Sequence, residues 1–338
     1  MAILHGGQLS RVAQQYQIPE KEWLDLSTGI APFSYPVAHI PLKIWQNLPT
    51  VSTSLMAAAQ HYYQALHCWP LAGSQQLIEK LPQLWNAQNK GITASTKHVY
   101  LPKVGYKEHQ QAWQQAGYQL HFYQKVLPTD IEHLSVVVVI NPNNPLTDTF
   151  SIDALKILQQ QCRYQQALLI IDEAFADIFP PEFSFVTQLK DDSEDVIVLR
   201  SFGKFFGLAG LRIGFVCSSK KWCELIQESN GPWSVNSVAL YIAEQALNDK
   251  CWQQTQITRL QKQSIKQEQL LQQYFSMQRI ESNALFITIF LTDASALYKK
   301  LCLHAVYVRL SDENDALRFG LCDELQLITL AKVLAKAL

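Results

Sequence analysis

The chain has 338 residues, 48% of them hydrophobic and 17% charged, with a formal net charge of -1. That length supports two domains and a large core, and the near-neutral balance argues against a nucleic-acid or anionic-membrane surface. Seven cysteines, an odd number with no Cys-x-x-Cys and no metal-like spacing, lead to the expectation of no bound metal and a reducing, cytoplasmic setting.

At the start, Met1-Ala2-Ile3-Leu4 runs at once into His5, Gly6 and Gly7, so no secretory leader is expected. The longest apolar run, 136–140, is far short of a membrane span. A short helix is expected over 10–16 and a strand entering a turn over 23–29, after which Pro32, Pro36 and Pro41 impose a loop. From about residue 51 strong helix formers predict a helix to Tyr62-Tyr63. Ala72-Gly73-Ser74-Gln75 opens another, with Leu77, Ile78, Leu81, Leu84 and Trp85 on one face and Pro82 expected to kink it or confine its first turns.

Strands are then predicted at 98–101, 119–123, 136–140, 168–172, 196–201 and 211–217, with a helix over 151–166 between two of them. Continuous apolar strands alternating with helices indicate an α/β fold with a mostly parallel sheet covered on both faces. Beyond Gly231-Pro232 a glutamine-rich helix over 253–274 reads as a solvated connector. A second α/β pattern closes the chain, with strands at 284–291, 306–310 and 316–321 and helices at 295–303 and 325–338. The expected division is a large domain of 36–230 and a small domain of 1–35 with 231–338.

Chemistry concentrates in 200–216. Lys204 stands among Phe202, Phe205 and Phe206, where a poorly solvated ammonium becomes an available nucleophilic amine. Arg212, read as part of a strand, requires a carboxylate or phosphate partner, because an unpaired buried charge costs several kcal/mol. Open α/β sheets bind ligands beyond the carboxyl ends of their strands. Asp172 ends one such strand and suits either a protonated ring nitrogen or a helix cap. Gly73-Ser74-Gln75 offers an anion the free N–H groups of a helix start. Asn141-Pro142-Asn143-Asn144-Pro145 is by itself a turn, with Asn144–Pro145 a candidate cis bond. Arg318, inside the apolar strand Leu317-Arg318-Phe319-Gly320-Leu321, suits bidentate recognition of a carboxylate, while Arg309 suits a second anion or a structural pair. No Gly-x-Gly-x-x-Gly follows a strand, which disfavours a nicotinamide enzyme.

Ser201, Lys204, the Gly207–Gly210 turn and Arg212 together resemble the Schiff-base lysine segment of fold-type I pyridoxal-phosphate enzymes, the class I/II aminotransferase superfamily with the aspartate-aminotransferase fold. That resemblance implies a large domain with a mostly parallel sheet flanked by helices and a smaller α/β C-terminal domain. It implies pyridoxal 5'-phosphate as cofactor, with Lys204 carrying the aldehyde and Gly73, Ser74, Gln75, Ser201 and Arg212 holding the phosphate. Asp172 would face the pyridine nitrogen, Asn144 the ring hydroxyl, Tyr106 the ring face and Arg318 the substrate carboxylate. Homodimers are the rule in the family. Leu146-Thr147 replaces the usual Thr-Gly after the asparagine turn, and Phe175 stands where transaminases usually carry a tyrosine.

His5-Gly6-Gly7, Asp25-Leu26-Ser27-Thr28-Gly29-Ile30, Tyr106-x-Glu108-His109, Ser201 to Gly207 and the Arg318 strand are similar to a narrower group, the threonine-phosphate decarboxylases of cobalamin biosynthesis. The resemblance implies conversion of L-threonine O-3-phosphate to (R)-1-amino-2-propanol O-2-phosphate and carbon dioxide. Ala31 stands where that group generally has an asparagine near the substrate. The alternatives are an aminotransferase acting on a phosphorylated amino acid such as histidinol phosphate, whose members carry Tyr-Pro where this chain has Leu48-Pro49, and an inert protein of the same fold. Decarboxylation and transamination use the same residues and differ in which α-carbon bond breaks, so His5 and the 25–31 segment are expected to orient the substrate.

Overall fold

The computed structural model describes residues 5–93 and 96–338; Met1–Leu4, read above for a leader, lies outside them. In chain order the strands are β1 (Leu24–Leu26), β2 (Cys68–Leu71), β3 (His98–Pro102) and β4 (Gln119–Tyr123). Next come β5 (Val136–Ile140), β6 (Leu168–Asp172), β7 (Val196–Arg200) and β8 (Gly214–Ser218). The last four are β9 (Ile280–Asn283), β10 (Phe286–Phe290), β11 (Val306–Leu310) and β12 (Ala316–Gly320). Among the described residues no helix is long and apolar enough to cross a membrane.

The chain forms two compact units, one of 35–144 with 148–250 and one of 5–34 with 145–147 and 251–338. Residues 231–250, placed with the small domain from the sequence, cluster with the large unit. Their helix Ser237–Asn248 packs on the helix Thr53–Tyr63, and Ser52 Oγ, capping the latter, donates to Glu244 Oε2 at 2.8 Å.

In the large unit a seven-stranded sheet runs β2-β8-β7-β6-β5-β3-β4. Strands β3 to β7 pair in parallel, while β8 runs antiparallel to β7 and β2 antiparallel to β8. Every residue of β5, β6, β7 and β8 is buried, because helices cover both faces. Strand β2, unanticipated from the sequence, contains Pro70 and takes the sheet edge, where a missing N–H costs no ladder bond. The helix Ser74–Gln88 continues through Pro82 and buries it beside Leu77, Ile78, Leu81 and Trp85. Packing against the core offsets the lost backbone bond.

In the small unit the order is β1-β11-β12-β10-β9, with β1 parallel to β11 and the remaining pairs antiparallel. The strand expected over 284–291 is the second arm of the β9–β10 hairpin. Asn283 Oδ1 turns the chain by accepting from Leu285 N and Phe286 N. Gly320 ends β12 so close to the 26–28 segment that a Cβ would collide with Leu26 and Thr28 carbonyl oxygens.

The helix Lys250–Tyr274 departs from the solvated connector expected of its glutamines. It buries Gln256, Gln263, Ser264 and Gln267 along with Leu260 and Leu271. Gln256 Nε2 donates to Phe33 O at 2.7 Å and Ser264 Oγ to Asn283 O at 3.0 Å. Gln267 donates through Nε2 to Gly320 O at 2.9 Å and accepts from Cys322 N at 2.7 Å, satisfying backbone groups at and just beyond the end of β12. Replacing Gln267 by leucine would strand both groups, so Gln267→Leu should lower stability by about 2–3 kcal/mol. An unchanged urea midpoint for this variant would show that the buried amide contributes nothing.

Candidate active site

The carboxyl ends of β5, β6 and β7 open on a cavity of about 130 Å³ within the large unit. At one end lie Gly73, Ser74, Ser201 and Arg212. Gly73 caps the helix Ser74–Gln88 with a φ of 78°, a conformation that suits glycine. A Cβ here would also sit 2.8 Å from Arg212 Nη2. Ser74 Oγ and Ser201 Oγ are 2.9 Å apart, leaving the pair of hydroxyls adjacent to free helix-start N–H groups. Arg212 is exposed and precedes β8 instead of lying inside a strand. Its left-handed φ of 54° turns the guanidinium back over Gly73, at a backbone cost of about 1–3 kcal/mol. Two hydroxyls, a guanidinium and a helix start in one cup are groups whose chemistry suits a phosphate.

The cavity is also lined by Asp172, the buried last residue of β6. Its Oδ1 accepts from Ala174 N at 3.0 Å and its Oδ2 lies 3.0 Å from His109 Nε2. A carboxylate only accepts, so Nε2 carries the hydrogen of that bond. His109 Nδ1 is buried without a hydrogen-bond partner among the described residues. His109 belongs to the Tyr106-x-Glu108-His109 stretch, and its bond to Asp172 spans 63 residues of chain.

Tyr106 caps the helix Lys107–Gln115 and lines the cavity, as do Gln75 and Asn144. Burial, then Glu108, pushes its phenol well above the ordinary range, so the hydroxyl stays protonated. The cis peptide bond of the asparagine turn is Asn141–Pro142, not the Asn144–Pro145 bond suggested by the sequence. Thr147, in place of the usual glycine, adopts a φ of 62°. Lys204 lies in the single turn Phe202–Phe205, half-buried, with Nζ 5.5 Å from the centre of the Phe175 ring. Its neighbours Phe202 and Phe206 stack on each other at 4.2 Å. Amine, carboxylate and phosphate cup are the donor set that a phosphorylated pyridine aldehyde requires, and the residues present fit that group.

The remaining predicted residues lie in the small unit, where three sequence motifs meet. Gly7 N donates to Ser27 Oγ at 2.7 Å, Ser27 Oγ donates to Asp25 Oδ1 at 2.6 Å, and Arg318 Nη2 donates to Ser27 O. Tyr307 Oη donates to His5 O at 3.3 Å, and Ala31 is buried. Arg318 on β12 is register-paired with Arg309 on β11. Burial, followed by the Arg309 charge, brings the Arg318 guanidinium down to about 10. Arg309 forms an ion pair with Asp312 at 2.7 Å, the structural alternative for that residue.

The class I and II aminotransferase profile matches residues 48–331. A threonine-phosphate decarboxylase of Pseudomonas aeruginosa is 35% identical over 94% of this chain and 92% of its own length. Two solved structures share the fold. The histidinol-phosphate aminotransferase of Sinorhizobium meliloti in complex with pyridoxal-5'-phosphate covers 99% of this chain and 98% of its own at a TM-score of 0.79 and 18% identity. The L-threonine-O-3-phosphate decarboxylase of Porphyromonas gingivalis covers 92% and 98% at a TM-score of 0.73 and 15% identity. Profile and relative together settle the family: this chain belongs to the class I and II aminotransferases.

Proposed function

We propose that the chain is a pyridoxal-phosphate-dependent decarboxylase converting L-threonine O-3-phosphate to (R)-1-amino-2-propanol O-2-phosphate and carbon dioxide, a step of cobalamin biosynthesis. The observation that carries this reading is the near-full-length similarity to a protein of that name. The cavity supports it with a matching set of groups. Bound, the cofactor supplies an electron sink for the pair released when a bond to the substrate α-carbon breaks.

Gly73, Ser74, Ser201 and Arg212 hold its phosphate, and Gln75 contributes its backbone N–H at the same helix start. Asp172, oriented by His109, keeps a proton on the pyridine nitrogen. The Asn144 amide would donate to the ring hydroxyl, a bond that Phe175 cannot supplement, and Tyr106 would cover the ring face. Lys204 would hold the aldehyde, and its Nζ would donate the proton that takes the place of the departing carboxylate at the substrate α-carbon. Arg318 takes the substrate carboxylate, while Arg309, already paired with Asp312, takes the structural role. His5 and Ala31 complete the substrate-facing set.

Assembly as a homodimer has support in Leu42, Trp45, Leu48 and Trp233 of the large unit, each 60% or more exposed. The second copy is the occupant we assign to that surface. The cytoplasmic setting rests on the cysteine pattern.

Incubation with L-threonine O-3-phosphate should release carbon dioxide without 2-oxoglutarate-dependent formation of glutamate. Glutamate formation without gas evolution would sink the decarboxylase and leave the aminotransferase. A protein that takes up the cofactor but turns over neither substrate would be the inert member.

A further inference from the structure

The Gln75 side chain is held by other side chains beside the cup. Its Nε2 donates to Glu79 Oε1 at 2.8 Å and to Glu108 Oε2 at 3.0 Å. Its Oε1 accepts from the Tyr106 hydroxyl at 2.9 Å. An amide can usually be reversed, since its oxygen and nitrogen are nearly isosteric. Here it cannot. Both glutamates only accept, so the nitrogen must face them and the oxygen must face Tyr106. The phenol, kept protonated by its burial, is then obliged to donate.

The elements involved make this arrangement a clamp. Gln75 and Glu79 are one turn apart on the helix Ser74–Gln88, whose start forms the anion cup. Tyr106 and Glu108 open the helix Lys107–Gln115. The amide, itself at the start of one helix, therefore pins it to the start of the other through both the Tyr106 hydroxyl and the first-turn Glu108 carboxylate. His109 meets the same ring at a steep angle, with centroids 6.3 Å apart at 82°, and the Tyr106 ring lines the cavity. An aromatic platform contributes only when its plane is held at the stacking orientation, and rotation about its side-chain torsions would forfeit the contact.

We infer that Gln75, oriented by Glu79 and Glu108, is a positioning residue that holds the Tyr106 ring against the cofactor. This rests on the reading of Tyr106 as the stacking residue. The test is a double-mutant cycle on the cofactor-loaded protein with Gln75→Leu, Tyr106→Phe and the double variant. Its readouts are the pyridoxal-phosphate dissociation constant and the circular dichroism of the bound cofactor in the visible region, which reports ring orientation and not turnover. Each single change removes the same hydrogen bond, so each should weaken retention by about 5–10-fold and reduce the dichroic band, with the double variant no worse than either. Tyr106→Phe deletes one oxygen and keeps the test decisive should Gln75→Leu fold poorly. Multiplicative losses in the double variant, or wild-type dichroism in Gln75→Leu, would overturn the tether. Tyr106→Ala separates the two ideas. If it alters retention and dichroism while Gln75→Leu does not, the tether alone fails. If Tyr106→Ala is itself silent, the stacking role fails and the tether with it.

Discussion

Lys204→Ala should abolish the visible absorption of the cofactor-loaded protein and lower carbon dioxide release from L-threonine O-3-phosphate by about 10⁴-fold or more. The lysine contributes its amine to the cavity beside Asp172, Asn144 and Phe175. In the proposed mechanism it acts twice, first as the amine that engages the aldehyde and then as the proton carrier. Proton transfer by a positioned group alone contributes about 10²–10⁴-fold, and loss of the covalent role adds to it. The phosphate cup and Asp172 are untouched by the change, so the variant should still retain cofactor, measurable as co-eluting phosphate ester after gel filtration. Retained cofactor without the visible band isolates the amine. A variant with wild-type absorption and turnover would mean that another amine does the chemistry and that the cavity is not the active site.

The parts of this site legible in the sequence were those whose chemistry contradicts their surroundings. Asp172 ends a wholly apolar strand, and Lys204 and Arg212 interrupt an apolar, glycine-rich segment. Charges in such places need a partner, and the strand ends of an open sheet say where that partner is. Arg212 itself was misread as a strand residue because its left-handed φ is imposed by tertiary structure, with Gly214 packed against Arg200 and Ser74 backbone atoms. The helix Lys250–Tyr274 was misread because a periodicity argument scores glutamine as solvated. Here Gln256 and Gln267 are spaced along the buried stripe and bind backbone groups far away in the chain. The side-chain role of Gln75 and the His109–Asp172 bond escaped for the same reason. Both depend on which helices the sheet brings together, and spacing along one helix does not reveal its neighbour.

The largest loss of stability is expected from Arg200→Met, in a network that no local pattern announces. Arg200 ends β7, donates to Glu173 Oε2 at 2.7 Å and to Asp177 Oδ1 at 2.9 Å, and all three side chains are 6% exposed or less. Tyr62 Oη adds a 3.0 Å bond to Asp177, and Ser184 Oγ and Phe185 N bond to Glu173. Burial alone would pull the guanidinium down, but Asp177 and Glu173 outweigh it and hold Arg200 above its ordinary range. For Glu173 burial wins: it pushes the carboxyl up, with Arg200 and its other donors offsetting only part of the rise. Removing the arginine leaves two carboxylates buried without their cation, a loss of about 3–5 kcal/mol. The pH dependence follows from the raised Glu173. A carboxyl whose folded value exceeds its unfolded one binds protons more tightly in the native state, so its contribution to stability is present at low pH and is lost as pH rises through the folded value. Arg200→Met removes the offsetting charge and raises Glu173 further, so the gap between variant and wild type should narrow as pH is lowered from about 8 to about 5. Urea denaturation at both pH values measures it. Adding Glu173→Gln should recover part of the loss at pH 8, because the neutral amide needs no cation. A gap under about 1 kcal/mol that ignores pH would mean the network is hydrated and carries little energy. The consequence reaches the cavity, since Arg200 adjoins Ser201 and Glu173 adjoins Asp172. Loosening the ion cluster frees the ends of β6 and β7 together, and the variant should lose cofactor affinity along with stability.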